Sequence, residues 1–209
     1  MQKRKPSTKE KIKAAAMALF NESETLSVTT NHIAEKAGIS PGNLYYHYKN
    51  KEAIVVELYL EMSAKFESFE SFGRIPSSQN PVAELMKMYD AYGELFYDYR
   101  FLMRDSAVLM AMYPSLKALF VERQAKRIGQ IETLLRFFIA EGILENIPEE
   151  EIAMRAKLNW FIPAYWQIFA STGGEITKAS IAEAREVAFR VNIAPFLSQK
   201  GREMLGVSG

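Results

Sequence analysis

Taken by its apolar positions alone, this 209-residue chain is a succession of helical stripes separated by polar breaks. Ile12, Ala15, Ala16, Leu19 and Phe20 form the first, in a helix predicted to begin near Thr8, a candidate cap. Ile33, Ala34 and Ala37 form a short second stripe behind Thr29, and Leu44 with Tyr48 marks the inner side of a third helix behind Ser40. From Lys51 toward Phe72 a longer stripe runs through Ile54, Val55, Leu58, Met62, Phe66 and Phe69. The stretch 73–80, GRIPSSQN, is the first clear break, and Asn80-Pro81 then starts a helix to about Tyr99 with a cap and a proline in its first position. Further helices are predicted over 100–112, from Pro114 to Ala140, from Pro148 to about Phe169 with a local kink at Pro163, and from Thr177 or the Ser180/Glu183 box through Ile193. The segment 201–209 is predicted to be a frayed tail. The fold class is therefore all-α, with about nine helices. A three-helix N-terminal domain, 1–50, precedes a larger helical domain, 51–209, whose first helix, 51–72, connects the two.

The second and third stripes carry the most specific local pattern. Thr29 can cap the second helix, Gly38 supplies a left-handed position at its end, and Ile39 folds back between the two helices. Ser40 caps again, and Pro41 sits where its missing N–H costs nothing. Two helices of about two turns each are too short to persist alone and must pack as a unit, which makes the pair a helix-turn-helix. With Leu44 and Tyr48 turned inward, Pro41, Gly42, Asn43, Tyr45, Tyr46 and His47 remain to meet a partner. That surface suits a DNA major groove. Gly42 permits close backbone approach, Asn43 can donate and accept at a base edge, and the tyrosines can touch thymine methyls or bond to phosphates. Thr30 and Asn31 lie on the exposed side of the helix before it.

The run Ile33-Ala34-Glu35-Lys36-Ala37-Gly38-Ile39-Ser40, followed by Gly42-Asn43-Leu44-Tyr45-Tyr46-His47-Tyr48-Lys49-Asn50-Lys51-Glu52, resembles the N-terminal domain of the TetR/AcrR family of bacterial transcriptional regulators, from about Thr8 to Leu58. The resemblance implies an all-helical homodimer whose variable C-terminal domain binds a small effector and thereby releases DNA. By matching position it implies that Tyr45 and His47 contact backbone or bases, that Thr29 anchors the first motif helix to phosphate, and that Lys51 holds phosphate from the start of the fourth helix. Asn43 stands where a threonine is more usual and Tyr46 where a histidine is frequent, so base preference is the property these departures touch.

Charge sharpens this assignment. Net charge is only +1, but residues 1–51 hold nine Lys/Arg against four Asp/Glu, leaving −4 for the remainder. A basic head on a mildly acidic body draws a polyanion to one end. Lys3, Arg4 and Lys5 are candidates for a minor groove or adjacent phosphates, and Lys9, Lys11 and Lys13 crowd a helix start, where positive charge is disfavoured. The absence of cysteine excludes disulfides, thiolate metal sites and thiol nucleophiles. Both histidines, His32 and His47, lie inside the DNA-reading motif, and neither phosphate-loop nor dinucleotide glycine patterns occur. No catalytic residue, cofactor or metal is expected. No run approaches a transmembrane length, no signal-peptide stretch is evident, and a cytoplasmic location is the default.

Two roles are expected of the second domain. The last two helices, about 150–197, have apolar residues on more than one side, material for a C2 four-helix interface. Two recognition helices would then meet successive major grooves of a palindromic or pseudo-palindromic operator. Most of the methionines, many aromatics and both tryptophans fall between 81 and 170, and such side chains can line an adaptable apolar cavity. Met86, Met88, Tyr89, Tyr92, Phe96, Met103, Met110, Tyr113, Trp160, Tyr165 and Trp166 are the pool for a hydrophobic or aromatic effector. Each taken singly is more readily ordinary core. Arg100, Arg104, Asp105 and Arg155 are expected to form ion pairs rather than to hold a ligand. The alternative function is an architectural or cell-division DNA-binding factor whose body docks another protein.

Overall fold

A computed structural model describes residues 5–206. Those residues form twelve α-helices and one 3-10 turn, with no strand among them. They are α1 (Thr8–Glu22), α2 (Thr30–Ala37), α3 (Pro41–His47), α4 (Lys51–Ser68), α5 (Ser71–Ser77), α6 (Pro81–Asp98), α7 (Arg100–Arg104), α8 (Ser106–Met112), α9 (Pro114–Ala140), α10 (Glu149–Ser171), α11 (Lys178–Asn192) and α12 (Gln199–Leu205). Three more helices are present than the apolar pattern predicts. The stretch 100–112 is two helices divided at Asp105, the predicted break at 73–80 is largely α5, and α12 runs into the predicted frayed tail as far as Leu205. The connecting helix ends at Ser68 rather than Phe72, because Glu70 takes a left-handed conformation (φ 48°) and starts α5. No helix among the described residues is long and apolar enough to cross a membrane.

The chain divides into two compact units. The first ends at Ala64 and resumes at Tyr99–Lys117; the second comprises Lys65–Asp98 and the chain from Ala118 onward. In the first, Ile12, Ala16 and Phe20 of α1, Ile33 of α2, Leu44 of α3 and Ile54, Val55 and Leu58 of α4 are fully buried. Ser7, not Thr8, caps α1, in a box with Glu10: the Ser7 hydroxyl accepts from the Glu10 N–H at 3.2 Å, and the Glu10 carboxylate accepts from the Ser7 N–H at 2.6 Å. Two of the three lysines at this helix start find protein counter-charges. Lys9 pairs with Glu57 of α4 at 2.7 Å, and Lys13 pairs with Glu57 and Glu61.

The junction of α7 and α8 grips the loop between α1 and α2. Asp105 accepts from the Thr25 N–H at 2.9 Å and its hydroxyl at 2.7 Å, while Arg104 bonds Asp105 and donates to the carbonyls of Phe20 and Ser23. Burial pushes the Asp105 pKa up, but the bonds from Arg104 and Thr25 outweigh it and hold the carboxyl below its ordinary value. The expected ion pairing of Arg104 is thus with Asp105, and that of Arg155 is with Glu151.

The core of the second unit brings together Val82, Leu85, Met88, Tyr89 and Tyr92 of α6, Leu134, Leu135 and Phe138 of α9, Ile152 and Ala156 of α10, and Ile193 with Leu197. Here α12 is a clamp. Ser198 caps it, and Asn80 at the head of α6 donates to the Met204 carbonyl at 3.1 Å. Ser198 also donates through its N–H to Ile143 and through its hydroxyl to Gly142. Gly201 permits this closeness, since a Cβ there would lie 2.3 Å from the Ile143 carbonyl oxygen. Between α6 and α11, Arg185 pairs with Asp90 and Lys178 with Glu94.

Candidate nucleic-acid interface

The two motif helices are built by their caps. The Thr29 hydroxyl accepts from the His32 N–H at 3.2 Å, and His32 Nδ1 in turn accepts from the Thr29 N–H at 3.3 Å. This is a capping box with histidine at the position commonly held by Glu or Gln. Sequence reasoning missed this role; the signal was the three-residue spacing. Gly38 ends α2 in a left-handed conformation (φ 68°), and the Ile39 N–H folds back onto the Ala34 carbonyl at 3.0 Å. The Ser40 hydroxyl accepts from the Asn43 N–H at 3.2 Å, with Pro41 in the first turn of α3. Both cap hydroxyls accept here and keep their own proton, so either can still donate to a phosphate oxygen.

Only Leu44 of α3 is fully buried; Pro41, Gly42, Asn43, Tyr45 and Tyr46 are exposed and His47 is half-buried. Tyr46 is 84% exposed, an extreme for a large aromatic side chain. Its ring meets His47 edge-on, with centroids 5.1 Å apart. The Tyr45 hydroxyl lies 3.0 Å from the Thr30 hydroxyl, which links the exposed faces of α2 and α3 and fixes the direction of the tyrosine. A Cβ on Gly42 would meet nothing within 4 Å, so the protein itself does not require glycine there. Asn31 and Lys5 are exposed, and Lys3 and Arg4 lie outside the described residues.

Lys51 is placed differently from the phosphate-binding role assigned to it. Its ammonium donates to the carbonyls of Thr25, Leu26 and Val28 at 2.9, 3.2 and 2.8 Å. Its three N–H groups are thereby directed into the protein, and burial lowers its pKa. In this arrangement Lys51 braces the approach to α2.

The effector pool is dispersed. Met103, Met110 and Tyr113 belong to the first unit, whereas the other members belong to the second. Met88, Tyr89 and Tyr92 are buried in its core, with Met86, Phe96 and Trp160 packed against them. They are ordinary core contacts, as when the Tyr89 hydroxyl accepts from Asn159 Nδ2 at 3.2 Å. Tyr165 stands edge-on to Trp160 at 5.8 Å, and Trp166 Nε1 donates to Glu183 at 3.3 Å. Tyr92 alone of the pool borders the 540 Å³ cleft of this unit, where it is joined by Phe66, Phe72, Arg74 and Arg127. Those neighbours come from α4, α5 and α9, and nothing in their spacing along the chain foretold the meeting.

A cap-turn-cap helix pair with an exposed polar and aromatic reading face, on an all-helical frame, defines a helix-turn-helix DNA-binding regulator. Comparison with known proteins gives the family. Residues 12–58 match the family model described as "Bacterial regulatory proteins, tetR family", and residues 67–205 match the model described as "Bacterial transcriptional repressor". The chain belongs to the tetR family of bacterial transcriptional regulators. A stretch of 61 residues is 36% identical to the class D tetracycline repressor protein of Escherichia coli, covering 29% of this chain and 28% of that repressor. Among solved structures, a TetR-family transcriptional regulator from Marinobacter aquaeolei VT8 superposes with a TM-score of 0.81 at 24% identity, over 97% of each chain. The triclosan complex of SmeT gives 0.64 at 18% identity over 93% of each; SmeT is the repressor of a Stenotrophomonas maltophilia multidrug efflux pump. At these identities the structural likeness concerns the fold.

Proposed function

We propose that this regulator is a homodimeric repressor that binds a palindromic or pseudo-palindromic operator through α3 and is released by a small effector with an apolar or aromatic part. The observation that carries the DNA-reading half is α3 itself: one buried residue and an outward face of Gly42, Asn43, Tyr45 and Tyr46. Asn43 and Tyr45 read bases, while the hydroxyls of Thr29 and Ser40 hold phosphate at the two helix starts. Lys5 and the preceding Lys3 and Arg4 add backbone contacts.

Dimerisation uses α10 and α11. Met154, Phe161 and Phe169 on α10 and Val191 on α11 are exposed, Phe169 to 67%. Met154, Leu158, Phe161 and Tyr165 follow the four-three spacing of a helix seam, which a second copy of the same pair would cover. Release travels along α4, a single helix from Lys51 to Ser68. A shift of that helix pulls on the three carbonyls held by Lys51 and so on the loop ahead of α2. Exposed apolar residues on α10 also suit the docking of a different protein, the reading in which the body takes no metabolite.

Selection of bound duplexes from a random DNA pool tests this function. Two inverted half-sites with centres about one helical turn apart, or a small multiple of it, are expected. Recovery of unrelated sequences, or of one unrepeated half-site, rejects the dimeric operator reading.

A further inference from the structure

The 540 Å³ cleft of the second unit falls within the usual size range of small-molecule sites, yet its composition differs from the apolar chamber that a methionine- and aromatic-rich sequence suggests. One wall is aromatic. Phe66 stacks on Tyr92 with centroids 3.7 Å apart, and the Arg127 guanidinium carbon lies 4.3 Å from the Phe66 ring centre and 4.9 Å from that of Phe72. Phe66 thus has Tyr92 on one face and the guanidinium on the other, and the part-exposed edge of this cluster, with Phe72 beside it, is a surface suited to a further planar group. The other wall is polar. Ser71 is only 4% exposed, and its hydroxyl and that of Tyr92 lie close to one another with no other partner for either. Gln130 contributes a further buried side-chain oxygen without a partner. Arg74, at the exposed rim, is in no salt bridge among the described residues, whereas Arg127 is paired with Glu67 at 3.2 Å.

We propose that this cleft binds a planar aromatic monocarboxylate, its ring against Phe72 and the edge of Phe66 beside the Arg127 guanidinium, and its carboxylate on Arg74 and the hydroxyls of Ser71 and Tyr92. The two hydroxyls and both guanidiniums can donate, which is what a carboxylate accepts. Glu67 and Glu70 also line the cleft and offset the two arginines, so a single negative charge is better matched there than the double charge of a phosphate. Identifying the ligand as the effector rests on the repressor reading above; the binding itself does not.

Calorimetry on the full chain with 2-naphthoate, its neutral counterpart 2-naphthamide and aliphatic dodecanoate tests the site, alongside DNA release from a selected duplex. Naphthoate is expected to bind at least about tenfold more tightly than either, and Arg74→Gln to remove about tenfold of that affinity without changing the amide. Ser71→Ala should weaken naphthoate in the same selective way. Arg74 is exposed, so its replacement leaves the fold intact; Arg127 also holds Glu67 and is the poorer variant. Absence of naphthoate binding, equal binding of the three probes, or indifference to Arg74→Gln overturns the proposal. Arg74-dependent binding that leaves DNA affinity unchanged upholds the site and rejects its role as the effector switch.

Discussion

The N-terminal unit and the second unit are both packed helices, but they expose and bury opposite kinds of residue. In α2 and α3 the apolar minority is buried and the distinctive residues, Asn43, Tyr45 and Tyr46, stand in the open. In the second unit Met88, Tyr89 and Tyr92, equally conspicuous in sequence, are in the core, and the cleft is bordered largely by charged, polar and phenylalanine side chains from separate helices. A surface made by one short helix is determined by local spacing and caps. A cleft made by three segments tens of residues apart depends on how those segments pack.

The contrast can be broken most severely at the proposed dimer face. Phe161→Glu on α10 should give monomers in sedimentation, and DNA affinity should fall by about 100-fold or more as the linked second half-site is lost. A dimer that persists places the interface elsewhere. Next in size is Gly201→Ala. Its Cβ, 2.3 Å from the Ile143 oxygen, should cost about 1–3 kcal/mol in urea unfolding followed by tryptophan fluorescence, since both tryptophans lie in the second unit. An unchanged midpoint would mean that α12 is not a tight clamp.

Asp105→Asn is expected to cost about 1–2 kcal/mol at neutral pH. The Asp105 pKa is depressed in the folded protein, so its contribution is complete above the ordinary carboxylate value of 3.8 and is lost as pH falls through the lower folded value. The stability gap between wild type and variant should therefore close below pH 3.8; a gap constant with pH removes the charge from the explanation. The smallest effect on folding is expected from Gly42→Ala, within about 1 kcal/mol and of stabilising sign, because the added methyl meets nothing. The same substitution should weaken DNA binding if backbone approach at Gly42 matters. Stability and binding should thus separate at this residue, whereas Gly201→Ala acts through stability.

Much of the architecture was legible in the chain because its apolar period is local. The caps at Thr29 and Ser40, the left-handed Gly38 and the proline starts of α3, α6 and α9 all follow from neighbouring residues. What was not legible depends on distant partners. The break in α4 follows from Glu70 adopting a left-handed backbone, and α12 is held by Asn80, Ser198 and the closeness allowed at Gly201. Lys51 shows the same limit within the site. Its type and position suit a phosphate, and only the fold of the loop from Thr25 to Val28 reveals three carbonyls competing for its ammonium. Likewise the return of Tyr99–Lys117 to the first unit, with Asp105 on Thr25, has no trace in periodicity.

The central claim, that the outward face of α3 reads DNA sequence while the surrounding groups position it, is tested most directly by repeating the DNA selection with Asn43→Ala and Tyr45→Ala. Each variant should retain the spacing of the two half-sites and relax or change preference at one or two base pairs within them, each worth about 1–3 kcal/mol of discrimination. Unchanged base preference with uniformly weaker binding would contradict it and reduce α3 to a backbone-binding helix.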